Sequence, residues 1–333
     1  MILIRTNGGK NIGLGHIMRC YSLAEALKLK DPKEEIIFSV NREMVAFVEE
    51  KGYKADPFET FNKEDLEAIK NQKPDRIVFD SYLATNDYLK QLSQIATLIQ
   101  FDDNNDLYNP VYAKLLINGN IHAPRLNYSK ADNDTKLLLG LRYLIMRPEY
   151  WNVKPNRNGE GILITTGGSD FQQLMPRFIK ALYNTNEEKN IIIGPAYPKE
   201  EIKTIKRLTN NNDTFRLIES PGSLKTHINT SKVIITAAGS TVYEVLRLNK
   251  IPIIYTFADN QKQIAQTLEE KGITNLGHLD EIDFTEDNIA EKCQKALVKE
   301  KTIKPLANLL DGKGYLRVLD QIETNYTEHL PLA

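Results

Sequence analysis

A glycine-rich turn that ends in a histidine carries the strongest chemical signal in the sequence. Residues 6–16 read TNGGKNIGLGH, after a short apolar run and before an amphipathic stretch. Glycine lets the backbone approach a ligand closely, so Gly13 and Gly15 are predicted to border a substrate. His16 stands at a predicted helix start, where the helix dipole favours the neutral imidazole that a general base requires. His16 is therefore the predicted catalytic residue, and a hydrogen-bonded helix-start histidine is the alternative.

Two further features bear on what this turn binds. Arg19 lies one helical turn after His16, so it shares that face and is predicted to meet the substrate or its phosphate; a solvated surface arginine is the alternative. The turn lacks the third glycine of the dinucleotide fingerprint, and Lys10 is not followed by Ser or Thr as in a Walker loop. No nicotinamide or other cofactor is predicted.

A second small-residue segment, TAAGSTVYE at 236–244, also follows an apolar run and opens a helical pattern. The residues predicted to let a diphosphate approach the helix start are Ala238, Gly239, Ser240 and Thr241. Glu244 is predicted to accept the hydroxyls of a ribose. Because Thr241 and Glu244 also have the spacing of a capping box, a purely structural role is equally favoured.

Other turns follow predicted strands. The glycines of TTGGSD at 165–170 predict close approach of a nucleotide to Gly167 and Gly168, with Ser169 or Asp170 as a helix cap in the alternative. Asn260, in DNQKQ at 259–263, is predicted to reach the substrate or to cap a helix.

Acidic residues end two strands of the first half. Asp80 and Tyr82 lie in FDSY at 79–82, at a rim where catalytic groups collect, and are predicted to contact the substrate. FDDNND at 101–106 does not match a calcium loop, and the five histidines are scattered. No metal site is predicted.

Short apolar runs alternate with amphipathic stretches, which predicts parallel, doubly wound α/β sheets. The predicted strands are 2–5, 35–40, 76–80, 98–102, 115–117, 162–165, 190–193, 214–218, 233–236 and 251–255. The predicted helices are 16–29, 43–51, 63–71, 86–95, 172–183, 199–208, 242–248 and 261–271. We expect one domain at 1–150, a linker at 151–160, a second domain at 161–303 and a helical tail at 304–333, helical to about Tyr326 and loose at its end. Ligands of such sheets bind at the carboxyl ends of the strands.

The composition excludes several classes of protein. The 333 residues carry 43 basic and 44 acidic side chains, which gives no field for nucleic acid or an anionic membrane. The two cysteines, Cys20 and Cys293, lie in separate helical patterns, so a disulfide framework is not expected. Neither a signal peptide nor a segment of ~20 apolar residues is found, so a cytoplasmic enzyme is predicted.

Together these segments resemble the nucleotide-sugar hydrolases of pseudaminic acid synthesis, UDP-2,4-diacetamido-2,4,6-trideoxy-β-L-altropyranose hydrolases, and their SpsG-like relatives of spore-coat polysaccharide biosynthesis. The resemblance covers roughly residues 2–271. Its carriers, in order, are IGLGHIMRC at 12–20, FDSY at 79–82, FDD at 101–103, LLINGN at 115–120, LGLRYLIMRPE at 139–149, ITTGGSD at 164–170 and AGSTVYE at 238–244. The sequence departs from the family after Asp103 and at Gly119, where a glutamine is expected, which leaves the sugar open.

The resemblance implies a GT-B fold, in which two Rossmann-like domains face each other across a cleft. It implies that His16 activates a water that attacks the anomeric carbon and releases UDP with inversion, without a metal. Glu244 would bind the ribose, while Gly168, Ser240 and Thr241 would border the diphosphate. The alternatives are an inverting GT-B glycosyltransferase of cell-surface polysaccharide synthesis and a non-catalytic nucleotide-sugar binding protein.

Overall fold

The computed structural model describes residues 1–10, 12–156, 158–170, 172–297 and 300–327. The chain forms two compact units, one of Met1–Trp151 with the segment that begins at Gly312, and one of Asn152–Asp311. The second unit therefore takes in most of the segment predicted as a linker. The segment predicted as a tail is divided between the two units.

The first unit is built on a parallel sheet of seven strands. The strands are β1 (Ile2–Thr6), β2 (Ile36–Val40), β3 (Lys54–Pro57), β4 (Arg76–Asp80), β5 (Thr97–Phe101), β6 (Leu115–Asn118) and β7 (Lys136–Leu139). They lie in the order β3-β2-β1-β4-β5-β6-β7. The helices between them are α1 (Gly15–Lys30), α2 (Val45–Glu50), α3 (Lys63–Gln72) and α4 (Asn86–Ile95).

The sequence sets where these elements begin and how they pair. Asn62 accepts a hydrogen bond from the backbone N–H of Asp65 at 3.0 Å and so caps α3. The central strands are apolar and buried on both faces, as parallel strands between helices must be. Thr6 pairs with Asp80 in the β1–β4 register, so these two strands end side by side.

The second unit repeats the design with six parallel strands. The strands are β8 (Ile162–Ile164), β9 (Lys189–Ile193), β10 (Phe215–Glu219), β11 (Val233–Ala237), β12 (Ile251–Thr256) and β13 (Thr274–His278). Their order is β10-β9-β8-β11-β12-β13. The helices are α5 (Leu174–Ala181), α6 (Lys199–Thr209), α7 (Lys225–Thr230), α8 (Ser240–Arg247), α9 (Lys262–Glu270), α10 (Glu286–Leu297) and α11 (Glu300–Leu309).

The last helix, α12 (Gly314–Thr327), packs on the first unit. Its Tyr315 ring stacks on Trp151 with ring centroids 3.9 Å apart, and Val318 and Leu319 are buried. The tail predicted as one helical segment is thus two helices, because residues 310–313 interrupt it between α11 and α12. The end predicted to be loose, from residue 328 on, lies outside the described residues.

Candidate active site

Chemically active side chains meet at the carboxyl edge of the first sheet. His16 and Arg19 lie on α1, which follows β1, whereas Asp80 ends β4 and Asp103 follows β5. Because β1, β4, β5 and β6 are neighbours in the sheet, the segments that follow them come together.

His16 is hydrogen-bonded to a buried carboxylate. Its Nδ1 lies 2.6 Å from Oδ1 of Asp80, whose residue surface is 0% exposed. Burial alone would raise the pKa of Asp80, but the charges of Arg19 and His16 hold it well below its ordinary value. A carboxylate can only accept, so Nδ1 carries the proton of this bond, and Nε2 has a free lone pair whenever the ring is neutral.

Arg19 is held between two carboxylates. Its Nη1 lies 2.8 Å from Oδ1 of Asp103, and its Nη2 lies 2.7 Å from Oδ1 of Asp80. Burial alone would lower the pKa of Arg19, but Asp103 and Asp80 raise it well above its ordinary value. The solvated surface arginine considered from the sequence is therefore wrong. A direct contact of Arg19 with the substrate stays a prediction.

Tyr82 joins the same network on its exposed side. Its ring stands edge-on to that of His16, with centroids 4.4 Å apart, and its hydroxyl donates to Asp103. The side chain is 37% exposed, so it is available to a ligand beside His16. Asp103 also accepts from Nδ2 of Asn120 at 2.7 Å.

Two residues of this edge differ from their predicted roles. Asp80 is fully buried and its oxygens are taken up by His16 and Arg19, so it supports those residues and does not contact a sugar. Asp103 was considered from the sequence as part of an acidic run and of the motif FDD, but it was given no role at the site. Its position directly after a buried strand next to β4 is the signal that points to it.

The glycine turn between β1 and α1 presents open backbone. Gly9 and Gly13 exchange backbone hydrogen bonds of 3.0 and 2.7 Å, which close the turn into a small hairpin. Gly13 has φ +85°, and a methyl group at Gly13 or Gly15 would meet no atom within 4 Å. The space beside both glycines is therefore free for a ligand. Asn11 of this turn lies outside the described residues.

In the second unit, the turn after β8 is equally open. Gly167 has φ +93°, and a methyl group at Gly167 or Gly168 would meet no atom within 4 Å. This turn packs directly against the backbone of Gly194, because a Cβ at Gly194 would lie only 2.4 Å from the carbonyl oxygen of Gly168. Gly194 follows β9 and was missed from the sequence because it stands alone.

The start of α8 excludes one of the two interpretations of Glu244, and the predicted contact with a ribose stays a prediction. Gly239 is the N-cap and Thr241 lies inside the helix, so the capping box is wrong. Glu244 lies in the second turn and is 5% exposed. Ser240 and Thr241 occupy the first turn, where backbone N–H groups have no acceptor within the helix.

Three other predicted positions are clarified. Ala238 is fully buried and its N–H donates to the carbonyl of Tyr255 at 2.8 Å, so it shapes the turn and does not line it. Asp170 accepts from the N–H groups of Leu174 and Met175 at 3.0 and 2.7 Å and caps α5, the structural alternative. Asn260 is exposed in a one-turn 3-10 helix.

Two general features of the described residues complete the picture. No group of three or more His, Cys, Asp or Glu side chains among them comes together as metal ligands. None of the helices in the described part of the chain is long and apolar enough to cross a membrane.

No protein-family model matches the chain, but related sequences are found. The uncharacterized protein MJ1062 of Methanocaldococcus jannaschii is 28% identical over 269 residues, which is 77% of this chain and 55% of that protein. The chain thus spans about half the length of this relative. The spore coat polysaccharide biosynthesis protein SpsG of Bacillus subtilis is 24% identical, and the match covers 98% of this chain and 99% of SpsG. The UDP-2,4-diacetamido-2,4,6-trideoxy-beta-L-altropyranose hydrolase of Campylobacter jejuni is 24% identical over 277 residues, which is 81% of this chain and 97% of that enzyme.

Solved structures resemble the chain over nearly its whole length. The calicheamicin glycosyltransferase CalG4 matches with a TM-score of 0.69 at 12% identity, covering 99% of both chains. MurG of Acinetobacter baumannii matches with a TM-score of 0.65 at 12% identity, covering 97% of this chain and 99% of MurG. At these identities the likeness shows the fold alone, and it confirms the predicted GT-B fold. The resemblance predicted from the motifs is also confirmed, since this GT-B chain is similar over most of its length to SpsG and to the UDP-diacetamido-trideoxy-altropyranose hydrolase.

Proposed function

We propose that the chain is an enzyme of surface polysaccharide or nonulosonate biosynthesis that hydrolyses a UDP-activated amino or deoxy sugar. The hydrogen bond of 2.6 Å between His16 and the buried Asp80 is the observation that carries the proposal. A histidine whose Nδ1–H is held by a carboxylate has its other nitrogen oriented to take a proton. The names of two relatives over most of the chain support a nucleotide-sugar substrate.

The chemistry follows from this pair. Nε2 of His16 removes a proton from a water whose oxygen attacks the anomeric carbon of the sugar. The bond between that carbon and the phosphate oxygen breaks, and its electrons leave with UDP, so the configuration inverts. The imidazolium formed on His16 is stabilised by the charge of Asp80.

The second unit supplies the nucleotide site in this proposal. Backbone N–H groups at Ser240 and Thr241 and the open backbone at Gly167 and Gly168 stabilise the charge that develops on the diphosphate, so no metal is required. Glu244 accepts hydrogen bonds from the ribose. Gly13, Gly15, Arg19 and Tyr82 are the residues of the first unit proposed for the sugar, and Asn260 of the second unit stays a predicted substrate contact.

An inverting glycosyltransferase is the second candidate, since the solved structures that resemble this chain include glycosyltransferases. The same His16 would then take the proton of a sugar hydroxyl. The two proposals differ only in the acceptor, which the fold does not determine.

The experiment is incubation with a panel of UDP-sugars, with both products followed by NMR. We expect UDP and an inverted free sugar from substrate and water alone, and His16→Asn should slow release about 100-fold or more. His227→Asn, on α7 of the second unit, is the matched control and should keep the wild-type rate. UDP release that requires an added acceptor sugar would favour the transferase, and tight UDP binding without turnover would point to a binding protein.

A further inference from the structure

We propose that helix α12 is a positioning element of the active site, acting through Leu144 on the segment Asn118–Asn120 that holds Asp103. The contacts involved all lie within the first unit. The kinetic part of the proposal rests on the proposed hydrolase function, whereas the physical coupling does not.

Leu144 is clamped between two glycines. A Cβ at Gly119 would lie 2.6 Å from Cα of Leu144, and a Cβ at Gly314 would lie 2.1 Å from its carbonyl oxygen. Real Cβ atoms do not approach other atoms so closely, so neither position accepts even a methyl group without movement of the Leu144 backbone. The start of α12 and the turn after β6 are thus in contact through one residue.

The other side of this clamp reaches the carboxylate network. Gly119 is flanked by Asn118, whose Nδ2 donates to the carbonyl of Asp103 at 2.8 Å, and by Asn120, whose Nδ2 donates to the Asp103 carboxylate at 2.7 Å. Asp103 in turn holds Arg19 and receives the hydroxyl of Tyr82. A shift of the turn therefore moves the carboxylate that orients both side chains next to His16.

Helix α12 is fixed firmly enough to transmit such a constraint. Tyr315 stacks on Trp151 with an interplanar angle of 17°, and Nη1 of Arg317 donates to the carbonyl of Arg142 at 3.1 Å. Glu323 pairs with Lys30 at the end of α1, the helix that begins next to His16. Packed elements of this kind shift between discrete positions, not continuously, so displacement at Gly314 is passed on.

The first test uses hydrogen exchange and needs no substrate. In Gly314→Ala, backbone amides of residues 115–122 and 102–106 should exchange at least several-fold faster than in the wild type. Leu316→Ala, on an exposed position of the same helix, should leave both segments unchanged. Faster exchange confined to α12 and residues 141–147 would overturn the proposal. Coupling is reciprocal, so Asp103→Asn should also loosen α12, seen in the emission of Trp151, the single tryptophan.

The second test is kinetic and separates positioning from stability. At a temperature where every variant is folded, Gly314→Ala should lower kcat about 10-fold while the Kd for UDP stays within about twofold. Unchanged kcat together with a lowered Tm would show that α12 only stabilises the unit and would overturn the proposal. A further outcome is that the wild type turns over no UDP-sugar while Gly314→Ala still speeds amide exchange in residues 115–122. In that case the proposed hydrolase function is wrong and the physical coupling is supported. Should Gly314→Ala not fold, Tyr315→Leu removes the stacking on Trp151 without adding atoms at Leu144 and must give the same pattern.

Discussion

The carboxyl edges of the two sheets differ in the side chains that accompany their glycine turns. In the first unit, His16, Arg19, Asp80 and Asp103 are joined by short hydrogen bonds, with His16 and Asp80 buried and Arg19 and Asp103 half-buried. In the second unit, the corresponding turns carry glycines whose Cα atoms face open space, and the helix α8 begins without a side-chain cap. The network of charged side chains lies at the first edge, whereas open backbone occurs at both edges, beside Gly13 and Gly15 in the first unit and beside Gly167 and Gly168 in the second.

This difference matches two chemical tasks. Burying charged groups costs desolvation free energy, and removing one partner leaves the other charges uncompensated. The first edge is therefore less stable than an apolar one would be, but its side chains have a fixed orientation. Open backbone at a helix start suits an anion that brings its own charge. The comparison predicts that substitutions at the first edge lower both the catalytic rate and the stability. Substitutions in and around the turn after β8 should instead change UDP binding and stability separately.

The largest effect is expected for Asp80→Asn. The amide removes the negative charge that is proposed to stabilise the imidazolium on His16, so kcat should fall by about 10²–10⁴-fold. It also leaves the Arg19 charge less compensated, at a cost of about 3 kcal/mol in unfolding free energy. Since the folded-state pKa of Asp80 lies below its ordinary value, the stability it contributes is present above the ordinary pKa of an aspartate and is lost as the pH falls. Kinetics at pH 7 and thermal unfolding at pH 7 and below pH 3.8 test this; a wild-type rate in the variant would contradict the role given to Asp80.

A pair of glycine substitutions in the second unit should separate binding from stability. Gly168→Ala places its methyl in open space, so the unfolding free energy should change by less than about 0.5 kcal/mol. The same methyl lies where the diphosphate is proposed to approach, so the Kd for UDP should rise about 10-fold or more.

Gly194→Ala is the counterpart. Its Cβ would meet the carbonyl oxygens of Gly167 and Gly168 at 2.5 and 2.4 Å, so the unit should lose about 1–3 kcal/mol of stability. Calorimetric titration with UDP and thermal unfolding measure both quantities. Equal effects of the two substitutions on stability would contradict the proposed difference between the turn and its support.

The smallest effect on activity is expected at Asp102, next to Asp103 but outside the His16 network. Burial raises the pKa of Asp102 from its ordinary value of 3.8 to about 6, although a hydrogen bond from Tyr128 opposes the shift. A raised carboxyl pKa means that its contribution to stability is fully present below pH 3.8 and is lost as the pH rises through about 6. The neutral Asp102→Asn should gain about 1–3 kcal/mol relative to the wild type between pH 4 and pH 7.5. Parallel stability curves for the two proteins would contradict this.

The sequence predicts the elements that bear the site better than the elements at the sheet edges. The central strands β1 and β4 each contain a run of three apolar residues and were located to within a residue, as was α4. Strands β3, β7 and β13 were not predicted. The residues of β3 are partly exposed because it is an edge strand, so it has no apolar run to mark it.

Among the side chains, local sequence patterns identify the residues that follow strands, but they do not show which of these residues contact one another in the folded protein. His16, Arg19 and Asp80 could be singled out from turns and strand ends. That Asp80 lies behind His16 depends on the β1–β4 register, which pairs residues 74 positions apart in the chain. The same holds for Gly194 and for the clamp of Gly119 and Gly314 on Leu144, since only the folded backbone brings these residues into contact.

The most direct test of the proposed chemistry is hydrolysis of the UDP-sugar substrate in ¹⁸O-labelled water, with both products analysed by mass spectrometry. If His16 directs water to the anomeric carbon, the label appears in the free sugar and none in UDP, and the His16→Asn variant forms neither product at a comparable rate. Label in the phosphate of UDP would mean attack at phosphorus and would contradict the central claim.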